Sequence, residues 1–361
     1  MGKIEVSLYG ASHAEAIGVR ISGIEKGTPI STYDIDMLLK RRKAVKAPWS
    51  TPRIEADRYE FISGVEDGLA TGAAIDARIR NTNTVSSDYP AFIPRPSHAD
   101  YVSFVKDGLD RITPGGGRFS GRLTAPLCIA GGIAKGILRK KGIEINAYVV
   151  NIGGVRGKGY YDGATPEEIA ADKEAPYAIS EGEKMLELIA AARAEGDSVG
   201  GAVECVITGL GVGVGDFYTS GIESAVSYEV FGVPAVKAVE FGSGTAFADM
   251  HGSAANDPFR YENGKVVTET NNSGGINGGI SNGMPVVFRA TLRPTPSISK
   301  PQKSVDLSTH ENVELVLRGR HDACIVPRAA VVQNSLAAFG LLDLLTQRYG
   351  TLAQRHGLPK V

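Results

Sequence analysis

The chain has 361 residues, 42% hydrophobic and 22% charged, with 45 glycines and a formal net charge of −1. That length allows one large domain or two ordinary ones, and the composition excludes a low-complexity or disordered chain. The near-neutral charge excludes a broad nucleic-acid or membrane-binding surface but leaves room for a local basic pocket.

In chain order, residues 3–9 alternate apolar and polar as a half-buried strand does. Gly10-Ala-Ser-His13, a short helical stretch and a second strand over 18–24 follow. Ser31 with Asp34 marks a helix start; that helix carries Ile35, Leu38 and Leu39. It ends in Lys40-Arg41-Arg42-Lys43, cations that suit the negative end of a helix dipole. Strands are expected over 59–65 and 73–79. Ser97-His98-Ala99-Asp100 predicts a helix capped by Ser97. Residues 123–138 are apolar on nearly every side and rich in Ala and Gly, which places a helix in the centre of the core. Gly142 ends it, and 143–150 reads as a strand. Thr165-Pro-Glu-Glu168 has the cap, first-turn proline and acidic first turn of a helix. A capped helix over 180–194, a strand over 202–208, a helix over 223–231 and a strand over 235–241 come next. Residues 251–267 read as a less structured arm. After the glycine-rich run 271–283, a strand covers 284–293, and a last helix runs over 329–349, closed by Gly350. Adjacent strand pairs are as common as strand–helix alternation, so the fold class expected is α+β with antiparallel sheets. No linker or repeat divides the chain, so one domain over 1–361 is expected.

Two stretches suit anions, and two more are polar. Gly115-Gly-Gly-Arg118-Phe119-Ser120-Gly-Arg122 sets three glycines before two arginines four apart with a serine between, a cradle of N–H groups and guanidinium forks at a helix start. Asn271 to Gly283 holds five glycines and four asparagines, which tolerate positive φ and can present bare N–H groups to phosphate; a flexible linker is the competing reading. Arg293-Pro-Thr-Pro-Ser-Ile298 and Gly319-Arg320-His321-Asp322 follow apolar strands. Asp322 reads either as a tuned base or as an ion-pair partner. His13 and His98 both follow a serine near an element junction, where an imidazole can act as a general acid. His251, His310 and His356 lie in polar surroundings and read as surface residues. No dinucleotide-binding glycine fingerprint, P-loop or metal spacing occurs. Cys128, Cys205 and Cys324 are dispersed and odd in number, as in a reducing compartment. No signal-peptide pattern opens the chain and no apolar run reaches transmembrane length, so a cytoplasmic protein is expected.

Together, Gly-Ala-Ser-His13, Arg95-Pro-Ser-His-Ala-Asp100, the run from Gly115 to Thr124, Gly274 to Gly283 and Gly319 to Ala329 resemble the chorismate synthase family, in family order over nearly the whole chain. The resemblance implies a β-α-β sandwich of antiparallel sheets around core helices, assembled as a homotetramer. It implies a lyase of aromatic amino acid biosynthesis, the shikimate pathway. The reaction is a 1,4-elimination of phosphate from 5-enolpyruvylshikimate 3-phosphate, with reduced FMN as cofactor and NADPH as a candidate reductant. Carried over position by position, His13 protonates the departing phosphate, His98 supplies a proton to the reduced flavin, and Asp322 helps remove the substrate proton. Flavin contacts fall on Arg118, Phe119, Ser120, Gly278, Arg293, Pro294, Thr295, Pro296, Ser297 and Arg320. Substrate or NADPH contacts fall on Arg41, Arg42, Arg122 and Arg328. The chain departs from the family pattern where Ala11 stands for Glu, Ala14 for Gly, Leu123 for Glu, and Lys43 to Trp49 for a Pro-Gly run. Those departures bear on substrate grip by the early loop. The competing reading is a flavin- or phosphate-binding protein without lyase activity.

Overall fold

The computed structural model describes residues 4–44, 50, 55–82, 90–317 and 321–354. The first half runs β1 (Glu5–Gly10), β2 (Ala16–Ser22), α1 (Thr32–Arg42), β3 (Tyr59–Ser63), β4 (Val65–Glu66), β5 (Leu69–Ala70), β6 (Ile75–Arg80), α2 (Asp100–Asp107), α3 (Thr124–Arg139), β7 (Glu144–Ile152) and β8 (Val155–Arg156). It continues through α4 (Pro166–Ala170), α5 (Gly182–Ala194), β9 (Gly201–Thr208), α6 (Ile222–Phe231), β10 (Val236–Phe241) and α7 (Gly252–Ala255). The hairpins β11 (Phe259–Glu262) with β12 (Lys265–Thr268) and β13 (Ile276–Asn277) with β14 (Ile280–Ser281) follow, then β15 (Val286–Leu292), β16 (Gln302–Asp306), β17 (Glu311–Leu315) and α8 (Val326–Tyr349).

Two antiparallel sheets enclose a layer of helices, as the α+β reading expected. One sheet has the order β1-β2-β6-β3, the other β10-β15-β9-β7-β8. Period-two alternation decides which side chains face inward. In β2 and β6, Ile17, Val19, Ile75, Ala77 and Ile79 are fully buried against the helices. In the larger sheet, Ile145, Val149, Val203, Cys205, Phe288 and Ala290 point the same way. Their neighbours Tyr148, Val150, Val206 and Val287 form a second, smaller cluster on the opposite face with Ile169. On that face buried Glu204 accepts from Tyr148 Oη, Tyr160 N and Arg289 Nε.

Helix α3 occupies the centre because its surface is small. A Cβ built on Gly131 would lie 2.2 Å from Ser335 Cβ of α8, and one on Gly132 would lie 2.6 Å from Ile35 Cα of α1. Close approach on both sides therefore requires glycine. Helix α8 lies against β7 and β9, and α6 packs on α8 and β10. Among the described residues α8 is the helix long and apolar enough to cross a membrane; 94% of its most apolar window is buried inside the fold.

Several local expectations are corrected. Residues 11–15 are turns and a bend, not a helix. Ser97 does not cap α2: Ala99 is the cap residue, Ser97 has φ +59°, and the helix opens on Asp100. Helix α5 begins at Gly182 after Glu181 in the left-handed region, because Ser180 Oγ instead accepts from Lys158 N. The arm at 251–267 contains α7, strand β11 and most of β12; cross-strand pairs such as Tyr261 with Val266 supply a β pattern hidden by its polar residues. By contrast, Ser31 caps α1 and Thr165 caps α4 as expected.

Candidate active site

The run Pro114 to Phe119 folds as tight 3-10 turns with Gly115, Gly116 and Gly117 all at positive φ. Two of these glycines seat the two singled-out histidines. A Cβ on Gly115 would lie 2.1 Å from His13 Cε1, and one on Gly116 would lie 2.7 Å from His98 Cε1. Each ring thus rests on bare backbone, and a side chain at either position would displace it. Ser12 ties the early loop to the same turn. Its N–H donates to Gly117 O and its hydroxyl to Gly115 O, and Oγ lies 3.0 Å from His13 Nδ1.

His98 is held from the other side by Asp100, whose Oδ1 is 2.8 Å from Nδ1. Arg95 grips the same carboxylate with Nε and Nη2 at 2.7 and 2.8 Å. Burial alone would push the Asp100 carboxyl up, but the hydrogen bonds from Arg95 and His98 hold it well below the usual carboxylate range. Two arginines then stitch this turn to the segment after β15. Arg95 Nη1 donates to Ser297 Oγ, and Arg293 Nη1 donates to Ser97 O.

These parts border a cavity of about 580 Å³. Helices α2, α3 and α8 begin on it, so the positive ends of three helices converge. Its described lining includes the cations Arg42, Arg95, Arg122, Lys237, Arg293 and Arg328 against the carboxylates Glu55, Asp57 and Asp322. One wall is apolar: Phe231, Val233, Pro234, Ala235, Val236 and Leu292. At the polar end Asp57, itself at φ +52°, bridges two arginines, taking Arg42 Nη1 on Oδ2 and Arg122 Nη1 on Oδ1. Arg42 also donates from Nε to Thr124 Oγ1 and from Nη2 to Gly121 O. All three of its nitrogens are engaged by protein, and burial pushes its guanidinium down to about 10. Arg328 donates to Asp322 Oδ2 at 2.7 Å and to Arg42 O.

The cavity gathers His98, Phe119, Ser120, Arg122, Arg293, Thr295, Pro296, Ser297, Asp322, Arg328 and Arg42 from among the sequence-derived candidates. His13 is not part of the lining; its ring rests on Gly115, which is. Other candidates lie elsewhere. Arg118 turns outward to Asp107 and stacks over Phe119 at 4.9 Å. Arg41 lies over the Tyr177 ring, near Asp172. Pro294 connects two lining residues. Arg320 falls outside the described residues, as do His356 and the departures at 45–49. The glycine-rich run 271–283 takes the positive φ values expected of it but packs on its own fold: Gly274 presses on Gly242, Gly275 on Pro285 and Gly279 on Asp216. Gly278 sits at the tip of the β13–β14 hairpin with open space around it, and no residue of this run lines the cavity. Residues the sequence reading passed over are Asp57, Asp100 and Asn81. Asn81 donates to Ala11 O and Ala14 O and accepts from Arg122 Nε, so it links the early loop to the arginine pair. Leu123, one of the departures, is buried in the main core.

Comparison with known proteins points to one family. The sequence profile of the family described as chorismate synthase matches residues 4–346. The chorismate synthase of Thermococcus kodakarensis is 44% identical over 349 residues, covering 96% of this chain and 96% of that protein. The chorismate synthase of Korarchaeum cryptofilum is 43% identical over 344 residues, covering 93% of each. A crystal structure of a chorismate synthase superposes with a TM-score of 0.74 at 24% identity, over 97% of this chain and 93% of that one, and so shares the fold.

Proposed function

Because the chain belongs to the chorismate synthase family, whose members are lyases, we propose that it eliminates phosphate from 5-enolpyruvylshikimate 3-phosphate to give chorismate, with reduced FMN as cofactor. The observation that carries the reading is the meeting of His98, the His13 seat and the Asp322–Arg328 pair around one arginine-lined cavity. Its volume lies within the roughly 300–1,000 Å³ of small-molecule sites. A flat apolar wall facing cationic groups suits a ring system with an anionic tail. Phe119, Ser120, Arg293, Thr295, Pro296 and Ser297 would hold the flavin, which when bound supplies the electron density that lets the C–O bond to phosphate break without net oxidation.

The chain's own residues do the rest. Arg122 and Arg328, whose Nε and Nη1 already donate to protein, supply cationic charge to the phosphate and carboxylates from their remaining Nη2 edge. Arg42, spent on Thr124, Asp57 and Gly121, acts as a strut for Arg122 and not as a ligand contact. His13 holds the proton for the departing phosphate, His98 holds a proton at the flavin side, and the Asp322 carboxylate receives the substrate proton. The apolar wall excludes water. A single domain over 1–361 belongs to the same reading, supported by one apolar cluster that joins residues of both sheets from Ile17 to Phe288. So does a cytoplasmic homotetramer without nucleic-acid or membrane partners. An isolated hairpin is marginal in water, yet β11 and β12 expose Phe259 and Tyr261, 67% and 83% accessible, which favours cover by another copy. Sedimentation velocity giving a monomer would remove that part.

The deciding assay is anaerobic incubation with dithionite-reduced FMN and the substrate. Release of inorganic phosphate with formation of chorismate supports the enzyme. Tight flavin binding without phosphate release leaves the binding-protein reading. Adding NADPH in place of dithionite tests whether the chain reduces its own flavin.

A further inference from the structure

Asp100 is a firmly held carboxylate beside the cavity: it is absent from the lining while its neighbours His98 and Arg95 are part of it. Its side chain is 3% exposed and accepts from the Arg95 backbone N–H, from two guanidinium nitrogens of Arg95 and from His98 Nδ1. A carboxylate that accepts this many hydrogen bonds is ionised, so the imidazole nitrogen facing it must carry a proton to donate. The opposite ring edge, Cε1 and Nε2, is the one seated on Gly116.

We propose that Asp100 is a positioning residue for the proton-carrying step, fixing His98 in the Nδ1–H tautomer so that Nε2 alone exchanges protons with the cavity. This rests on the reading of His98 as a proton carrier and adds to it the residue that chooses which nitrogen works. A carboxylate behind an imidazole fixes ring orientation and tautomer through the second nitrogen. Among the described residues, charge reaches the turn that carries the ring from two sides. Asp100 and Arg95 lie on its own turn, and Arg293 approaches from the segment after β15 through Ser97 O. The glycine turn beneath it contributes no charge until Arg118, which pairs with Asp107.

The same carboxylate reaches further. Arg95 uses Nε and Nη2 on Asp100 and Nη1 on Ser297, so orienting His98 and orienting the 293–297 segment are one act. Asp100 therefore registers the proton carrier against the segment assigned to the cofactor.

The test begins with unmodified protein. Solid-state ¹⁵N spectra of sedimented, histidine-labelled full-length chain at alkaline pH, with His98 assigned by its loss in His98→Gln, should show a protonated Nδ1 and a bare Nε2. A bare Nδ1 overturns the proposal without any variant having to fold. Asp100→Asn should then populate the Nε2–H form and lower turnover by about 10²-fold with the Michaelis constant changed less than about threefold, the mark of a lost transition-state contribution. A fall in turnover with the tautomer unchanged makes Asp100 merely structural and also overturns it. Absence of elimination by the unmodified chain would sink the functional reading alone, because the tautomer is measured independently of activity.

Discussion

At the scale of single residues, the cavity is governed by who neutralises whom. Asp57 holds two guanidinium groups at once, and both it and Arg42 are almost wholly buried. Removing one member of a buried ion cluster leaves its partners uncompensated, at a cost of about 3–5 kcal/mol. Asp57→Ala should therefore lower unfolding stability by that amount in urea titration; a change below about 1 kcal/mol would show that water replaces the carboxylate freely. Asp100 carries a pH signature. Its native carboxyl is held below the ordinary value near 3.9, so it contributes stability above about pH 4 and loses it as pH falls through the native value. Denaturant midpoints measured from pH 7 to pH 2 should fall on the acid side. Asp100→Asn should start lower at pH 7, and its deficit should shrink as the solution is acidified. A deficit that stays constant would mean that Asp100 acts through shape and not through charge. Arg118 gives the opposite forecast. Exposed and paired with Asp107, it should be replaceable by Ala with flavin affinity, read by fluorescence titration, changed by less than about 1 kcal/mol, as for a surface pair.

At the scale of elements, the glycine turn is the piece that seats both histidines. Gly115→Ala and Gly116→Ala each add one methyl, in a backbone region costly for Ala, against a different histidine. Each should cut turnover by about 10²-fold, the lower end for a displaced acid–base group, while circular dichroism shows the helices intact. Turnover near that of the unmodified chain in both would detach the turn from catalysis. The turn's glycines, the α3 core helix and the caps of α1 and α4 were legible in the sequence because their signals are local: φ preference, period and side-chain capping. The start of α2 was misread because a Ser followed by a His and an Asp looks like a cap, when the Asp spends both oxygens on Arg95 and His98. Asp57 and Asn81 were invisible for another reason. Their partners are 15 to 70 residues away, and no spacing rule marks such pairs. The glycine run 271–283 has the backbone conformation read for it and packs on its own fold instead of lining the cavity, since glycine permits close approach to a ligand or to the chain itself and composition does not say which.

At the scale of the whole molecule, the turn that seats both histidines runs directly through Gly121 into α3, and α3 is the helix on which both halves of the sandwich depend. Many enzymes keep their working parts on loops that open long before the core does. Here the floor of the cavity cannot loosen without unpicking the helix between the sheets, so local and global melting are one event. The practical outcome concerns shelf life and heat. On stepwise warming, phosphate-releasing capacity and the far-ultraviolet signal should vanish together, within a degree or two, and the amide protons in the interior of α3 should exchange with the slowest class in the chain. Activity lost ten degrees below the cooperative transition would show a cavity that frays independently of its foundation. If the two coincide, any substitution that tightens α3 against α1 or α8 should lengthen the working life of the site by the same factor as the life of the fold.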